Sequence, residues 1–598
     1  MSTLLRFSGL AKGMLGGFSP VLIPEGAYAR GVNTTIRGGM VSTRPGFTDT
    51  QLTFESERDR NVFEQGRWQG GSIFRGIEGD QYVCAVAGEI FVINLDTLAV
   101  ENRSALVGRM SRYVPRCFFC QAESTMVVQD GLDAALLLTR SGGRRADPLK
   151  NEVPVGTRMA YGYGRLFVQR GERAVLGGDV YRTGDPDSCL RFTEWFQLNG
   201  GYHIGLQDTF GPITGMAFMP LVDSSMGIGP LLIGSARGIR TFHVELPRAT
   251  WFSSGGFSTV MVADQGFASH EGIAIANGDL WYRSPDGIRS LVLNRGMNNA
   301  PITVNHGSDL APFLDEETDW AIDQAEAVIH DGRLFCTAIA RQALAYVSPT
   351  KASETAVDRY HAGLYVLDLI PIGGLSVRQP PAWDGLWTGM NPISLAQGRV
   401  QGRERLLVIG KRNRNRNTLW LLDEARKGLD RDAAGEDVPV PARLYLPRLE
   451  GQDPWKAKRI TGGRFHLTGI SGAATFGGYV RPMGADFWVR WCAGRKINAR
   501  LTDGAIACER VLREQERPFF CLGALAPAQS SVPGGSTAAA WAFDVCLDWS
   551  GPLTIERGLI ECDEGNAVAA NLQAEPMHVW QPGQDLVDTT WSVGDAIQ

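Results

Sequence analysis

The chain has 598 residues, of which 44% are apolar and 21% charged, and this ordinary balance excludes a disordered or collagen-like polypeptide. A formal net charge of −5 excludes a polycation that would coat nucleic acid without specificity. No run approaches the length of about 18 apolar residues that a spanning helix needs, so we expect no transmembrane segment. The 72 glycines favour an all-β protein with many turns, and the ten scattered cysteines favour reduced thiols.

We expect residues 1–70 to form platform or blade-closing strands. Beyond them a turn-and-strand phrase recurs, in which glycine is followed by a spacer, a branched aliphatic residue and an aromatic residue. Its four full copies begin at Gly88, Gly164, Gly278 and Gly332, and degenerate copies occur at Gly131, Gly238 and Gly363. Several of these glycines follow Asn or Asp, in the dipeptides that tight hairpins prefer. The phrase therefore predicts β-hairpins.

The spacing of the hairpins predicts their arrangement. Several gaps between recurrent glycines lie close to the roughly 40 to 50 residues of a four-stranded propeller blade, and a solenoid would need a stricter period. A blade cannot bury both faces alone, so a ring of blades supplies the missing neighbours. We expect a β-propeller of about six blades over residues 71–424.

A second β unit is expected in the C-terminal part of the chain. Residues 425–441 combine charged residues with Gly and Pro and show almost no apolar periodicity, which favours a linker. From Trp541 to Trp549 apolar and other residues alternate with the period of a half-buried strand. Residues 442–598 are thus predicted to form a β-sandwich or platform, whereas a short helix is predicted only at 316–328.

Familiar catalytic and metal-binding motifs are absent from the sequence, so we expect neither an enzyme nor a cofactor. Cys117 and Cys120 form a lone C-x-x-C without a second ligand pair, which favours structural cysteines. The segment 430–435 resembles the start of a calcium loop but lacks its later ligands. Two sets of acidic residues could in principle supply the carboxylate pair of a glycosidase: Asp185 with Asp187, and Asp315, Glu316, Glu317 and Asp319. Acidic residues of this kind also occur in turns and helix caps.

Two basic clusters could contact phosphates or a neighbouring subunit. The first contains Arg140, Arg144 and Arg145, and the second runs from Lys411 to Asn417. A solvated hairpin loop is the simpler interpretation of the second cluster, because like charges repel and stay hydrated. The candidate assembly or DNA contacts are Arg44, Lys411, Arg412, Arg414 and Arg416.

Two segments resemble a known family. The first is the phrase from Leu22 to Asn33 and on to Phe47, which includes Leu22-Ile23-Pro24-Glu25-Gly26 and ends in Arg44-Pro45-Gly46-Phe47. The second runs from Gln265 to Ser290 and contains two turn dipeptides, Asn277-Gly278 and Asp286-Gly287. Both are similar to the tail nozzle, or tail tubular protein B, family of short-tailed bacteriophages, whose relatives include packaged-DNA stabilisation proteins. The resemblance is clear over about a tenth of the chain.

The resemblance implies a homo-hexameric ring of propeller subunits below the tail adaptor ring, made in the host cytoplasm and located in the virion tail. Such a ring would hold tail fibres, retain packaged DNA and contact the viral double strand transiently during ejection. It also implies that Arg44 to Phe47 form an early strand and turn in the platform or blade-closing region. The family supplies no catalytic residue.

Two other functions stay open at this point. A propeller hydrolase acting on surface glycan would use the scattered carboxylates and tryptophans. A non-catalytic propeller that binds a host-surface sugar or a protein would need neither a ring nor turnover. Both differ from a tail conduit in that a monomer would suffice.

Overall fold

The fold is described from a computed structural model, which covers most of the chain and is dominated by β-strands. The described residues are 2–193, 204–219, 229–244, 261–263, 265–276, 278–294, 300–305, 307–314, 319–346, 355–369, 381–413, 415–451, 453–470, 473–483, 488–502, 505–508, 519–522 and 540–565.

Seven antiparallel blades form the body of the described chain, and we number them in chain order. Blade 1 contains Trp68–Phe74, Gln81–Val86, Glu89–Asn94 and Ala99–Asn102, and blade 2 contains Phe118–Ala122, Thr125–Gln129, Leu136–Leu138 and Gly143–Arg145. Blade 3 contains Met159–Gly162, Arg165–Arg170, Ala174–Gly177 and Ile204–Gly205, and blade 4 contains Gly215–Phe218, Leu231–Ser235, Gly238–Phe242 and Met261–Ala263. Blade 5 contains Ile273–Ala276, Asp279–Ser284, Gly287–Asn294 and Ala300–Asn305, and blade 6 contains Ala327–His330, Arg333–Tyr346, Thr355–Asp368 and Ala382–Thr388. Blade 7 contains Pro392–Val400, Arg403–Arg412, Arg416–Lys427 and Pro45–Thr50. Thr53–Phe54 adds a parallel edge to blade 1.

The blades close into a ring around a central axis. The first strands of neighbouring blades contact each other, including those of blades 7 and 1, and blades 4 and 5 share a small apolar core. The β-propeller predicted from the sequence is confirmed. Its described part has one blade more than the six or so that the sequence indicated.

The recurrent glycines explain the difference in blade number. Gly164, Gly278 and Gly332 occupy the first hairpins of blades 3, 5 and 6, whereas Gly88, Gly131 and Gly238 lie in the second hairpins of blades 1, 2 and 4. The first hairpin of blade 7 turns at Gln401-Gly402, but charged residues follow the glycine where the phrase has an aliphatic and an aromatic residue. The phrase therefore does not identify this blade. Gly363 lies inside the strand Thr355–Asp368 and not at a turn.

Alternation along each strand supplies the cores between blades. In blade 1, Val83 and Ala85 pack toward blade 2, while Tyr82, Cys84 and Val86 pack toward blade 7. Because successive side chains of a strand point to opposite faces, a strand buried on both faces is apolar throughout. This burial accounts for the apolar stretch that precedes each glycine turn.

Gly88 shows why the phrase needs glycine. The turn places Ala87 at φ 50° and Gly88 at φ 81°, the left-handed region that hairpin turns of two residues require. A Cβ atom at Gly88 would lie 2.6 Å from the carbonyl oxygen of Met110. Both the backbone conformation and the neighbouring loop therefore restrict this position to glycine.

An N-terminal strand completes the last blade. Pro45–Thr50 pairs antiparallel with Arg416–Lys427 and becomes the fourth strand of blade 7. Pro45, Gly46 and Phe47 lie in this strand, and Arg44 directly precedes it. Because the closing strand comes from the opposite end of the propeller sequence, the ring is held by long-range contacts.

Residues 425–441, expected to be a linker, contain strands. Leu429–Arg431 lies parallel to Pro45–Thr50 and pairs with Asp437–Pro439, which extends blade 7 outward. The charges that suggest a linker are used in pairs, because Arg426 contacts Asp437 and Asp430 contacts Arg44. The propeller thus runs directly into the next strand, Pro441–Tyr445.

The C-terminal unit is built on two sheets that share one core. The sheet of blade 6 continues through Arg30–Val32, Pro441–Tyr445, Phe543–Ser550, Ala473–Pro482, Val489–Thr502 and Ala505–Cys508, with Gly13–Met14 and Ala27–Tyr28 beside it. The second sheet contains Phe519–Leu522, Ala457–Thr468, Thr554–Gly565, Val41–Thr43, Thr34–Thr35 and Ser2–Ser8. Phe465 of one sheet and Phe476 of the other lie 5.5 Å apart between ring centroids. The predicted sandwich or platform is therefore present, and strands from the first 50 residues belong to it.

Helices are short in the described chain. The α-helices are Glu57–Gln65, Ser104–Val107 and Ala311–Leu314, and the 3-10 helices are Pro148–Lys150, Ser188–Leu190, Asp208–Phe210, Gly307–Leu310 and Asp319–Gln324. In the described part of the short helix predicted at 316–328, Asp319–Gln324 forms a 3-10 helix, and Ala327 already begins a strand. None of the described helices has the length and apolar character that a membrane crossing requires.

Candidate functional site

A cluster of charged side chains lies at one end of the propeller axis. The first strands of all blades run in the same direction, so the residues that precede them meet at the same end of the central channel. Arg116, Arg158, Glu271 and Glu326 occupy these positions in blades 2, 3, 5 and 6. We call these four residues the axial cluster.

Arg116 bridges opposite sides of the channel. Its Nη2 lies 3.0 Å from Oε2 of Glu271 and 2.8 Å from Oε1 of Glu326. Burial disfavours the guanidinium charge, but the two carboxylates hold the pKa of Arg116 above its ordinary value. Blade 2 is not a neighbour of blades 5 and 6 in the ring, so these ion pairs cross the axis.

Glu326 joins three blades through its two oxygens. Oε1 accepts from Arg116, whereas Oε2 accepts from Oγ of Ser394 at 2.9 Å and from the backbone N–H of Leu395 at 2.7 Å. Burial raises the pKa of Glu326 to about 7, and nearby Glu271 also raises it, although Arg116 and the donors of blade 7 oppose the shift. This carboxyl group therefore titrates near neutral pH.

Glu271 responds differently to the same surroundings. Burial would raise its pKa, yet Arg116, His270 and Arg158 together hold the pKa of Glu271 below its ordinary value. Burial lowers the pKa of His270, whose Nδ1 accepts the backbone N–H of Met216 at 3.3 Å. Glu271 thus carries the permanent negative charge of the axial cluster.

A second ion pair lies beside the axial cluster and joins blades 6 and 7. Nζ of Lys411 lies 2.6 Å from Oδ2 of Asp358, and both side chains are buried. Oδ2 of Asp358 also accepts the backbone N–H of Trp68 in blade 1 at 3.3 Å. Burial lowers the pKa of the neighbouring His361 to about 4, so this imidazole is neutral at pH 7.

The space between these groups is too small for a substrate. The cavity lined by Arg116, Glu326, Asp358 and His361 encloses about 30 Å³, which is about the volume of one water molecule. No group of three or more His, Cys, Asp and Glu residues suited to a metal ion occurs among the residues that the structure describes. What this arrangement can do is hold blades 2, 5, 6 and 7 together across the channel and obstruct it.

The five residues predicted as assembly or DNA contacts do not form one surface. Arg44 and Lys411 are buried in ion pairs, with side-chain exposures of 1% and 0%. Arg412 donates from Nε to Oδ2 of Asp49 at 2.7 Å, and Arg416 is half-exposed with Glu64 at 3.7 Å. Arg414 lies outside the described residues. The basic run is therefore used partly inside the fold, which its sequence could not show because the acidic partners are distant in the chain.

Four other candidates from the sequence are buried or paired within the fold. Burial raises the pKa of the Cys120 thiol to about 12, and Cys117 is buried at the start of blade 2. Asp187 lies 3.2 Å from Arg144, and Asp185 accepts from Arg191 at 2.9 Å.

Three further candidates also contact other groups of the fold. Asp430 of the calcium-like segment pairs with Arg44. Arg140 lies over Phe74, and Arg145 donates to the carbonyl of Ala134 at 2.8 Å. Residues 315–318 lie outside the described part of the chain.

Sequence reasoning missed the axial cluster. Its members are single residues separated by 40 to more than 200 positions in the sequence, and no local pattern connects them. The signal that could have found them is positional, because each lies just before the first strand of a blade. This signal can be recognised only when the boundaries of the blades are already known.

Comparisons with known proteins give distant structural similarities. No family model matches the chain, and no curated protein matches it. Among solved structures, a chain of the mitotic checkpoint complex aligns at 11% identity over 63% of this chain and 95% of its own, with a TM-score of 0.31. BamB from Moraxella catarrhalis aligns at 8% identity over 65% of this chain and 93% of its own, also with a TM-score of 0.31. Similarities with TM-scores this low carry no argument about this chain.

Proposed function

We propose that this chain is a structural subunit of a short phage tail. In this proposal it forms a homo-oligomeric, hexameric nozzle ring in the virion tail, below the adaptor ring and in contact with tail fibres. The ring closes the distal end of the tail, retains packaged DNA and becomes the conduit for its ejection, with transient contact to the double strand. The proposal rests on the resemblance of two segments, and above all on the phrase that ends in Arg44-Pro45-Gly46-Phe47.

The observation that carries the proposal is what this phrase does in the fold. Asn33 accepts from Nε of Arg44 and from the backbone N–H of Thr388, and it donates to the carbonyl of Pro441. Thr388 ends blade 6, and Pro441 begins the C-terminal unit. The family-like residues therefore lock the propeller to its neighbouring unit, which suits a subunit whose work is mechanical.

The axial cluster restricts where DNA could pass in such a tail. The bridge from Arg116 to Glu271 and Glu326 crosses the centre of the propeller. A duplex therefore does not thread one subunit, and a conduit has to lie between subunits. Rings of this kind arise when one patch binds a different patch on the next copy and the rotation closes.

The proposal is tested by imaging and by a retention assay. Negative-stain images of the purified protein, alone and with the adaptor ring, are expected to show a ring with an axial hole. Particles assembled without this chain are expected to lose DNA that complete particles retain. A protein that stays monomeric with the adaptor ring present, together with particles that retain DNA without it, would remove the proposal.

A further inference from the structure

An aromatic pocket lies where the N-terminal residues meet the C-terminal unit. It encloses about 270 Å³ and belongs to neither the axis nor the basic run. Ring-bearing side chains and two arginines provide most of its lining, among them Phe18, Pro20, Arg30, Tyr445, Arg481 and Trp488. We call this cavity the aromatic pocket.

The side chains of the aromatic pocket hold each other in place. The rings of Tyr445 and Trp488 make an edge contact with centroids 5.7 Å apart, and the guanidinium of Arg481 lies 5.0 Å from the centre of the Trp488 ring. Arg30 lies 4.2 Å from the ring centre of Phe313. A pocket formed from side chains already fixed by such contacts loses little entropy when a ligand enters.

The polar groups of the pocket are mainly donors. Asp544 is the acidic residue in its lining, and its oxygens accept four hydrogen bonds: two from Arg448 at 2.8 and 3.1 Å and two from Arg481 at 3.0 and 2.7 Å. Arg448 and Arg481 share this one carboxylate, so these three side chains together carry a net positive charge beside the pocket. The charge fits a ligand that carries a carboxylate.

Exposed apolar side chains follow pocket-lining residues along the chain. Phe18 is half-exposed in the pocket wall, and Val21 and Leu22 follow it with 43% and 69% exposure. In the C-terminal unit, Met483 donates its backbone N–H to the carbonyl of Ala542, next to the exposed Trp541. Exposed apolar side chains near a pocket are typical of protein–protein contact sites.

Trp455 lies on a turn that Lys458 connects to the backbone of Trp541. Nζ of the buried Lys458 donates to the backbone carbonyls of Asp453, Lys456 and Trp541, which holds the turn of Trp455 beside Trp541. Trp455 is 83% exposed although its turn is fixed. A rigid, exposed tryptophan of this kind is a residue that interfaces favour.

We propose that the aromatic pocket binds a partner protein through a short segment with an aromatic or proline side chain flanked by acidic residues. The apolar side chain enters between Phe18, Tyr445 and Trp488, and the acidic residues face Arg481, which shares its one carboxylate partner with Arg448. A neutral sugar fits less well, because its hydroxyl groups would need the acceptors of Asp544 that the arginines already use. The inference is independent of the tail role, since it concerns a pocket within one copy of the chain.

The experiment uses the full chain and the probe peptide acetyl-Glu-Glu-Phe-Pro-Glu-Glu-amide, with binding followed by calorimetry. Phe18→Ser removes an exposed pocket wall, and Arg481→Met removes a cation. Leu132→Ser removes an apolar side chain of blade 2 that is 66% exposed, against 50% for Phe18, and is the matched control. We expect both pocket variants to weaken binding by about tenfold or more and the control to leave it unchanged.

A peptide with lysines in place of the glutamates is expected not to bind. Circular dichroism of each variant establishes that it is folded, and Phe18→Ser lies on an exposed loop, so at least one variant remains informative if Arg481→Met unfolds. Failure of the acidic peptide to bind, or equal binding by Phe18→Ser, would overturn the inference. Binding of a neutral oligosaccharide or of oligothymidylate that Phe18→Ser abolishes, without peptide binding, would overturn it as well.

Discussion

Replacing Arg44 by methionine tests how the propeller is closed. The guanidinium donates to both oxygens of Asp430 at 2.8 Å, to Asn33 at 3.0 Å, and to the carbonyls of Pro45 and Thr388 at 2.8 and 2.9 Å. It also lies 5.1 Å from the ring centre of Phe47. The variant leaves Asp430 without its bidentate partner and several buried acceptors without donors.

The expected cost follows from this geometry. Removing one partner of a buried, hydrogen-bonded ion pair costs about 3–5 kcal/mol. Since each 1.4 kcal/mol is a factor of ten, the opening equilibrium of the strand Pro45–Thr50 should rise by at least about 100-fold. Hydrogen exchange of the amides that pair with Arg416–Lys427 measures this opening directly.

Two further variants decide whether the reasoning is correct. Arg44→Lys keeps the charge but cannot make the bidentate contact, so an intermediate effect is expected. Arg426→Met removes an arginine from an exposed pair with Asp437 in the same blade, where a cost of about 0–1 kcal/mol is expected. Equal exchange in Arg44→Met and Arg426→Met would refute the idea that Arg44 holds the closing strand.

Three other predictions concern single positions. Burial raises the folded-state pKa of Glu326 from 4.5 to about 7, so its contribution to stability is full below pH 4.5 and is lost as pH rises through 7. Relative to Glu326→Gln, the free energy of unfolding of the wild type should therefore fall by about 3 kcal/mol between these pH values. A difference between the two proteins in urea unfolding that does not depend on pH would contradict the assignment. Gly402→Ala, at φ 79° with open space around it, should cost about 1 kcal/mol of strain. Gly88→Ala should cost about 1–3 kcal/mol more because its Cβ meets a carbonyl, and equal melting temperatures for the two variants would contradict this difference. Lys458→Met should destabilise the C-terminal unit by about 2–4 kcal/mol, because it removes the ammonium donor that three carbonyls share, of which that of Asp453 keeps a hydrogen bond from the N–H of Lys456. The exposed Lys456→Met should change the denaturant midpoint little, and two similar midpoints would count against the role given to Lys458.

The parts of the fold that local patterns determine were predictable. Hairpin glycines such as Gly88 and Gly332 fix turns through their own backbone angles, and the alternation before them reflects burial between two blades. Blade 7 escaped detection because Gln401-Gly402 supplies the turn while the expected apolar and aromatic residues are charged. Strand patterns near Trp549 likewise placed the C-terminal unit.

Long-range electrostatic pairs were not predictable from the sequence. Arg44 and Lys411 look like surface cations beside other basic residues, and only the fold brings Asp430 and Asp358 to them. A buried charge carries no sequence signal of its own, since burial depends on elements hundreds of residues away. The same holds for the axial cluster, whose four members come from four different blades and meet only in the folded chain.

Closure of blade 7 also predicts how far a local defect should spread. In a ring of blades each blade packs only on its neighbours, so opening the strand Pro45–Thr50 should first expose blade 7 and the cores it shares with blades 6 and 1. Trp387 of blade 6 contacts Phe47 of that strand, with ring centroids 6.5 Å apart, and should become accessible early. Blades 2 to 4 share no core with the strand, and their exchange should stay unchanged in Arg44→Met. Uniform acceleration across all blades would instead mean that the propeller opens as one cooperative unit, and that the axial ion pairs of Arg116 transmit the loss across the channel.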